Sequence, residues 1–421
     1  MESILAYILS VVVLLIWFNA YRCRKTGGLF SPIVFFAIYY AYYILYPFFT
    51  STGDIYSASK YDGTFLLLLG AIVSILSMLF GFQHYRPKVS LKSNSIYYSN
   101  TKWLAIWLFI IGSVSYFSIN GFSINLVAVQ TEFYDATQNR LGHSDQYITL
   151  LISLLPASAC LFYASKSNRL YIILVSIIAT IIGVMGGSRY RLFMFFIPVV
   201  VFYHLYPSPK KVNLKIWIPA ALFFIFSMAV IEKTRNYGSG LDIDKLVEVL
   251  DSNPKDIKAS EIEGVYYFSS KVMDAYSEEP LIFGDVFGTA ICLPIPRAVF
   301  HNKPDAQYLR DANIKVLGTD GIGAAYLNIV EWYLALGWLG IILNGLLLGA
   351  ISKFMWANYI NNPHSIGAVL YLSMFDGLGY ILISRGYLAQ EYVMFVYYLP
   401  MIYWVTLLLL KFRKKMCKAT V

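Results

Sequence analysis

The run Gly63-Thr64-Phe65-Leu66-Leu67-Leu68-Leu69-Gly70-Ala71-Ile72-Val73-Ser74-Ile75-Leu76-Ser77-Met78-Leu79-Phe80-Gly81-Phe82 carries no charged side chain. It is as long as a helix must be to cross a bilayer, about 20 residues. A surface helix of a soluble domain would show a polar face, and a membrane strand would alternate every second residue; this run does neither. It reads as a transmembrane helix. Comparable runs recur at roughly 4–20, 29–49, 101–119, 146–164, 170–186, 190–206, 214–231, 326–350, 366–385 and 390–410. With 63–82 that makes eleven. The sixth and seventh are separated only by Gly186-Gly187-Ser188-Arg189, so a single re-entrant segment is the competing reading there.

Composition agrees. Of 421 residues 58% are apolar or aromatic and 14% charged, against about 25% charged in a soluble domain. A soluble fold and a disordered chain are both excluded. Four cysteines are too few for a disulfide scaffold, and the expected sidedness leaves only Cys292 outside. The expected fold class is an all-α polytopic membrane protein with about eleven transmembrane helices.

The net charge of +9 is decided by side rather than by partner. With the N-terminus outside, the segments 22–28, 83–102, 165–169, 207–215, 351–365 and 411–421 become cytoplasmic and hold eighteen of the 33 Lys and Arg and none of the acids. A purely basic inner face suits anionic lipid and gives no sign of nucleic-acid binding or of a cytosolic catalytic domain. The C-terminus is then inside. The first apolar run lacks a basic n-region and a small-residue cleavage site, and is expected to be a retained first span.

Three regions follow: spans one to eight over 1–231, a large outer loop over 232–325, and the last three spans with a basic tail over 326–421. The loop holds fifteen of the 24 acids. Within it, 241–250 spaces Ile243, Leu246, Val247 and Leu250 for one helical face, and 260–277 reads as a second helix. The stretch 284–304 is rich in Gly and Pro. Three prolines at 294, 296 and 304 forbid a regular helix and make an extended mount for Arg297 and Lys303.

Cations gather where topology disfavours them, at the outer ends of spans: Arg189, Arg191, Lys233, Arg235, Arg297, Lys303 and Arg385. Arginine binds phosphate oxygens through a planar, permanently charged fork, so the set fits a phosphorylated ligand. Alternatively each cation pairs with a local carboxylate or reaches to headgroups. Two carboxylates lie at membrane depth. Asp376, flanked by Gly377 and Gly379, reads as a packing contact. Glu331, one and a half turns into the ninth span, reads either as a general base or as an ion-paired anchor. His301, beside Arg297 and Lys303, is a second acid/base candidate. No metal-ligand spacing, nucleophilic serine motif or phosphate loop is present, so no metal and no cofactor are expected.

At these residues the chain resembles the oligosaccharide repeat-unit polymerases of bacterial surface polysaccharide, the O-antigen (Wzy-type) polymerase family. The likeness rests on Gly-Gly-Ser-Arg at 186–189, Pro296-Arg297 with Lys303-Pro304, Gly323 leading to Glu331 and then Leu334, Gly337 and Gly340, and Ser384-Arg385-Gly386. Phe300-His301-Asn302 stands where the family often has Trp-Pro before the lysine. The resemblance implies a membrane glycosyltransferase similar to GT-C enzymes, working on the outer face of the bacterial plasma membrane. Undecaprenyl-diphosphate-linked oligosaccharide would be both donor and acceptor, with a chain-length regulator and a flippase as possible partners. On that reading Arg189, Arg235, Arg297, Lys303 and Arg385 hold the diphosphate, and Glu331 or His301 takes the acceptor's proton. An O-antigen ligase is the nearest alternative. A glycan transporter and a non-catalytic scaffold are the others.

Overall fold

A computed structural model of the chain describes residues 1–50, 63–87, 98–119, 151–167, 169–185, 189–213, 215, 235–236, 240–241, 260–292, 295, 300, 307–318, 325–384, 388 and 399–419. Among these the protein is helical throughout, apart from a two-residue antiparallel ladder, β1 (Arg235–Asn236) with β2 (Gly240–Leu241). The helices are α1 (Glu2–Arg22), α2 (Pro32–Thr50), α3 (Thr64–His84), α4 (Tyr98–Ile119), α5 (Leu154–Ala164), α6 (Arg169–Met185) and α7 (Arg189–Leu205). There follow α8 (Ser260–Ala275), α9 (Phe283–Cys292), α10 (Gln307–Leu317), α11 (Asn328–Asn361), α12 (Ile366–Ser384) and α13 (Leu399–Ala419).

Six of the described helices are long and apolar enough to cross a membrane: α1, α2, α3, α4, α11 and α12. Shorter apolar helices lie at Leu151–Ala164 and Leu192–Leu205, where the fifth and seventh runs were expected. The eleven-span expectation is therefore matched as a polytopic helical protein and not as a count. Of the eighth run, 214–231, all but Lys215 lies outside the described residues, as does all but Leu241 of the amphipathic stretch 241–250. The turn at 186–188 lies outside them too, between α6 and α7.

The chain divides into two compact units. The first comprises Met1–Ser90, Ser260–Asn361 and Leu378–Val396. Its centre is the pair α3 and α11, whose small residues bring the backbones together. A Cβ on Gly345 would lie 2.5 Å from the Ser74 carbonyl oxygen, and one on Gly349 would lie 2.1 Å from that of Met78. Gly70 faces Ile341. Partners that advance together along both chains, 70 with 341, 74 with 345 and 78 with 349, make the two helices parallel. In lipid, where burial adds little between apolar helices, close backbone approach through small side chains supplies the association.

α1 buries only a stripe, Ala6, Leu9, Ile16 and Ala20, and leaves Ile4, Val11, Leu14, Leu15 and Trp17 exposed. That is a surface for acyl chains, not water. α2 begins with Pro32 at its first position and widens into a π turn over Ala41–Leu45. The extra residue turns Tyr43 so that its hydroxyl bonds that of Tyr380, while Tyr40 meets Ser74 at 2.8 Å.

The second unit comprises Leu91–Ala259, Asn362–Gly377 and Tyr397–Val421. Here α4 packs on α5, with the Ser158 hydroxyl donating to the Ala105 carbonyl at 2.7 Å. α5 meets α7 where the Cys160 thiol reaches the Pro198 carbonyl, and Gly377 of α12 sits against the Pro198 ring. Asp376 is buried as expected for a packing position. Basic residues of this unit are held by aromatic and amide groups: Lys210 over the Tyr203 ring at 4.0 Å, and Arg413 on Asn100 at 2.5 Å.

If the glycine contacts hold α3 and α11 together, Gly349→Leu should destabilise the protein by about 1–3 kcal/mol or more, since backbone must move to admit the side chain. Gly264 in α8 has open space beside it, and Gly264→Ala should be neutral or stabilising by about 0.5–1 kcal/mol. Thermal unfolding of the two variants in detergent checks both, and equal midpoints would contradict the packing.

Candidate functional site

The run 326–350 reads as one continuous span, but the structure breaks it. Gly337 adopts φ 60 and ψ −145, a conformation essentially confined to glycine. The two helices on either side fold back on each other. Asn344 donates its side-chain amide to that of Asn328, sixteen residues earlier, whereas a straight helix would hold them about 24 Å apart. A Cβ on Gly340 would lie 2.0 Å from the Trp332 carbonyl oxygen, so only glycine admits the short helix there. Tyr333 and Trp338 close the bend, ring centroids 5.7 Å apart. The crossing helix is therefore 338–361, and 328–336 is a separate short helix. Glu331 thus lies on the short helix and not on the long one that follows it.

All of 328–335 is buried. The short helix is wrapped by α8, α9 and the residues just before α9. Ile282, just before α9, donates its N–H to the Leu334 carbonyl at 3.0 Å. Phe287 of α9 packs edge-on against Trp332 at 5.4 Å. Ser269 of α8 accepts the N–H of Leu327 at 2.9 Å. Val286, Tyr308 and Ala335 form the centre of an apolar cluster that Ile282, Phe287, Leu336 and Leu388 complete. α9 itself corrects the reading of 284–304 as wholly extended. Its prolines come at 294 and later, where they stop a helix without preventing one that ends at Cys292.

Glu331 has no exposed surface. One carboxylate oxygen accepts the Tyr308 hydroxyl of α10, and the other accepts the main-chain N–H of Leu388. An ion pair of the neighbouring segments lies elsewhere, Lys315 to Glu279 at 2.7 Å. Burying a carboxylate without partners is prohibitive, and hydrogen bonds from both sides are what make this position tolerable. The group is oriented inward and both oxygens are engaged, so it ties three segments together: the short helix, α10 and the chain after α12.

Arg189 is the first residue of α7, and Arg235 lies in β1 opposite Leu241. Arg297, His301, Lys303 and Arg385 lie outside the described residues. Tyr308 and the Leu388 amide are the site members that sequence reasoning missed. Apolar spacing at 308, 309, 312 and 316 marks α10 as a helix, but nothing in one sequence aims a tyrosine at a carboxylate 23 residues on. No group of three His, Cys, Asp or Glu side chains among the described residues is arranged to hold a metal ion.

Helices long and apolar enough to cross a membrane, joined to shorter helices packed around a buried carboxylate, define a multi-pass helical membrane protein. The chain belongs to the O-antigen polysaccharide polymerase Wzy family, whose profile matches residues 1–253. It is similar to the O-antigen polymerases of Salmonella typhimurium (strain LT2) and Salmonella typhi, 24% identical over 274 residues in each case. The aligned part is 61% of this chain and 61% of each relative, so the chain spans less than two thirds of their length. No solved structure matches it. The family match ends before α8, so the Glu331 cluster lies wholly beyond it.

Proposed function

We propose that this protein joins lipid-diphosphate-linked oligosaccharide repeat units into a surface polysaccharide. The match of residues 1–253 to the polymerase family carries the reading. The ligase and transporter alternatives have no such match in their favour. The polymerising face is the outer face of the plasma membrane, with undecaprenyl diphosphate as the lipid carrier. The N-terminus is outside and the C-terminus inside, and the region 232–325 forms the outer segment. The parallel run of α3 and 338–361 fits their reading as the third and ninth spans, which point the same way in an alternating chain of either sidedness.

In the reaction, the bond between the anomeric carbon of the growing glycan and the diphosphate oxygen breaks, and a glycosidic bond forms to a hydroxyl at the non-reducing end of the incoming unit. Undecaprenyl diphosphate leaves with the electron pair, and the hydroxyl proton passes to a base. The donor arrives activated, so no nucleotide is consumed. Arg189, Arg235, Arg297, Lys303 and Arg385 are proposed to surround the departing diphosphate. Fixed cations aimed at developing negative charge are worth far more than the same charges in water. His301, between Arg297 and Lys303 in the chain, is the proposed proton acceptor, since an imidazole titrates near neutral pH. The family's GT-C-like character and any chain-length regulator or flippase partner belong to the same proposal.

Deleting the chain in its native host should leave surface glycan of one repeat unit in place of a ladder on a gel. Accumulation of full-length lipid-linked glycan would instead identify a ligase. Arg297→Ala and Arg235→Ala should each remove long chains while membrane levels of the protein stay normal. Loss of one charge-assisted phosphate contact corresponds to about 10-fold or more in turnover, and wild-type ladders in both variants would refute the diphosphate role.

A further inference from the structure

We propose that α9 is an interfacial helix: the flank bearing Phe283, Phe287 and Ile291 is seated in the acyl-chain boundary of a bilayer, at the level where the crossing helix 338–361 begins. The inference needs only the multi-pass membrane class and stands apart from the polymerase reading. α9 has three sides. Val286, Thr289 and Ala290 are buried against the protein. Phe283, Phe287 and Ile291, spaced by four, share a second side. There Phe283 is 51% and Ile291 61% exposed, and the two phenylalanine rings lie 4.7 Å apart. Asp285, the one charged residue of the helix, is exposed and lies about 160° around from Phe287 at about 100° per residue. Between these two flanks the space is open, since a Cβ on Gly284 or Gly288 would meet no atom within 4 Å.

The neighbours of α9 identify what covers the apolar flank. Leu281, exposed and just before the helix, lies against Gly337: a Cβ on that glycine would be 3.7 Å from the Leu281 Cδ2. Two residues past Gly337 the crossing helix exposes Leu339, and then Ile342, Leu343 and Leu347. The exposed apolar surface of α11, long and apolar enough to cross a membrane, thus adjoins the start of α9. Trp338, half-buried at the start of 338–361, is a residue type enriched at membrane–water interfaces. A helix with one apolar and one charged flank lies in the interface plane, its apolar side about 5–10 Å into the headgroup–acyl boundary. A second copy of the chain fits less well. Three side chains of this size, already partly buried, offer on the order of 300 Å², against about 800 Å² on each partner of a stable interface. A soluble ligand needs polar groups to orient it, and this flank has none. The Ile282 N–H bonds Leu334 and Phe287 packs on Trp332, so a membrane-seated α9 ties the helix that carries Glu331 to the interface.

The test is a depth measurement on the full-length protein in vesicles of phosphatidylethanolamine and phosphatidylglycerol. Single cysteines at Phe283, Asp285 and Ile291, with Cys23, Cys160, Cys292 and Cys417 replaced by serine, carry a nitroxide label. Leu339→Cys and Glu278→Cys are the lipid and water references. Relaxation by oxygen, which concentrates among acyl chains, and by a water-soluble nickel chelate reads the depth of each label. Phe283→Cys and Ile291→Cys should lie about 5–10 Å below the headgroup boundary, with Leu339→Cys. Asp285→Cys should lie in water with Glu278→Cys, about 10 Å further out by the width of a helix. Nickel-dominated relaxation at 283 and 291 would put the flank in water and overturn the proposal. Exclusion of both relaxants there would mean that protein covers it, and dipolar broadening that vanishes on dilution with unlabelled protein would make the cover a second copy; either result overturns the proposal too. Nickel access at Leu339→Cys would remove the membrane placement of 338–361 and the proposal with it. Phe283 and Ile291 are both exposed and report independently, so either carries the test if the other variant does not fold.

Discussion

A carboxylate with no exposed surface, held by a tyrosine hydroxyl and a main-chain amide, is the constraint on which the packing of 328–336, α10 and the chain after α12 depends. Glu331 reaches that position because Gly337 reverses the chain between the short helix 328–336 and the crossing helix 338–361. The reversal needs a second glycine, Gly340, where the Trp332 carbonyl oxygen occupies the space of a Cβ. The crossing helix in turn is fixed against α3 by Gly345 and Gly349. A single run of sequence, 337–349, therefore specifies both the membrane packing and the placement of the buried acid. Neither could shift without disturbing the other.

The membrane fold was legible because the bilayer leaves little choice: backbone groups in hydrocarbon must bond internally, and apolar runs of helical length follow. Helix α8 was legible from its apolar spacing. The break at Gly337 was not, because a helix buried in protein and a helix facing lipid are equally apolar, and hydropathy passes over the glycine between them. The same blindness put Glu331 and the helix after Gly337 on one continuous element. In 284–304 the prolines drew the reading toward extended chain, although each constrains only itself and the residue before it, which left α9 free to form. The partnership of Glu331 with Tyr308 and Leu388 is a tertiary fact that no spacing rule encodes.

The two lines that bear on function come from different parts of the chain. Family membership rests on residues 1–253, which contribute Arg189 and Arg235. The buried brace and the remaining charged candidates, Arg297, Lys303 and Arg385, fall after that stretch. On the proposed topology the positive net charge divides too, into a basic inner face and a small group of outer cations proposed to meet a diphosphate.

The folded-back geometry at Gly337 is open to a direct distance measurement. Cysteines introduced together at Asn328 and Asn344, with Cys23, Cys160, Cys292 and Cys417 replaced by serine, should form an intramolecular disulfide or cross-link with a short bifunctional reagent in native membranes. The single-cysteine controls should not. A continuous helix through 328–361 would hold the two positions about 24 Å apart. Failure of the pair to cross-link in membranes, with the protein folded, would contradict the reversal and with it the account of Glu331.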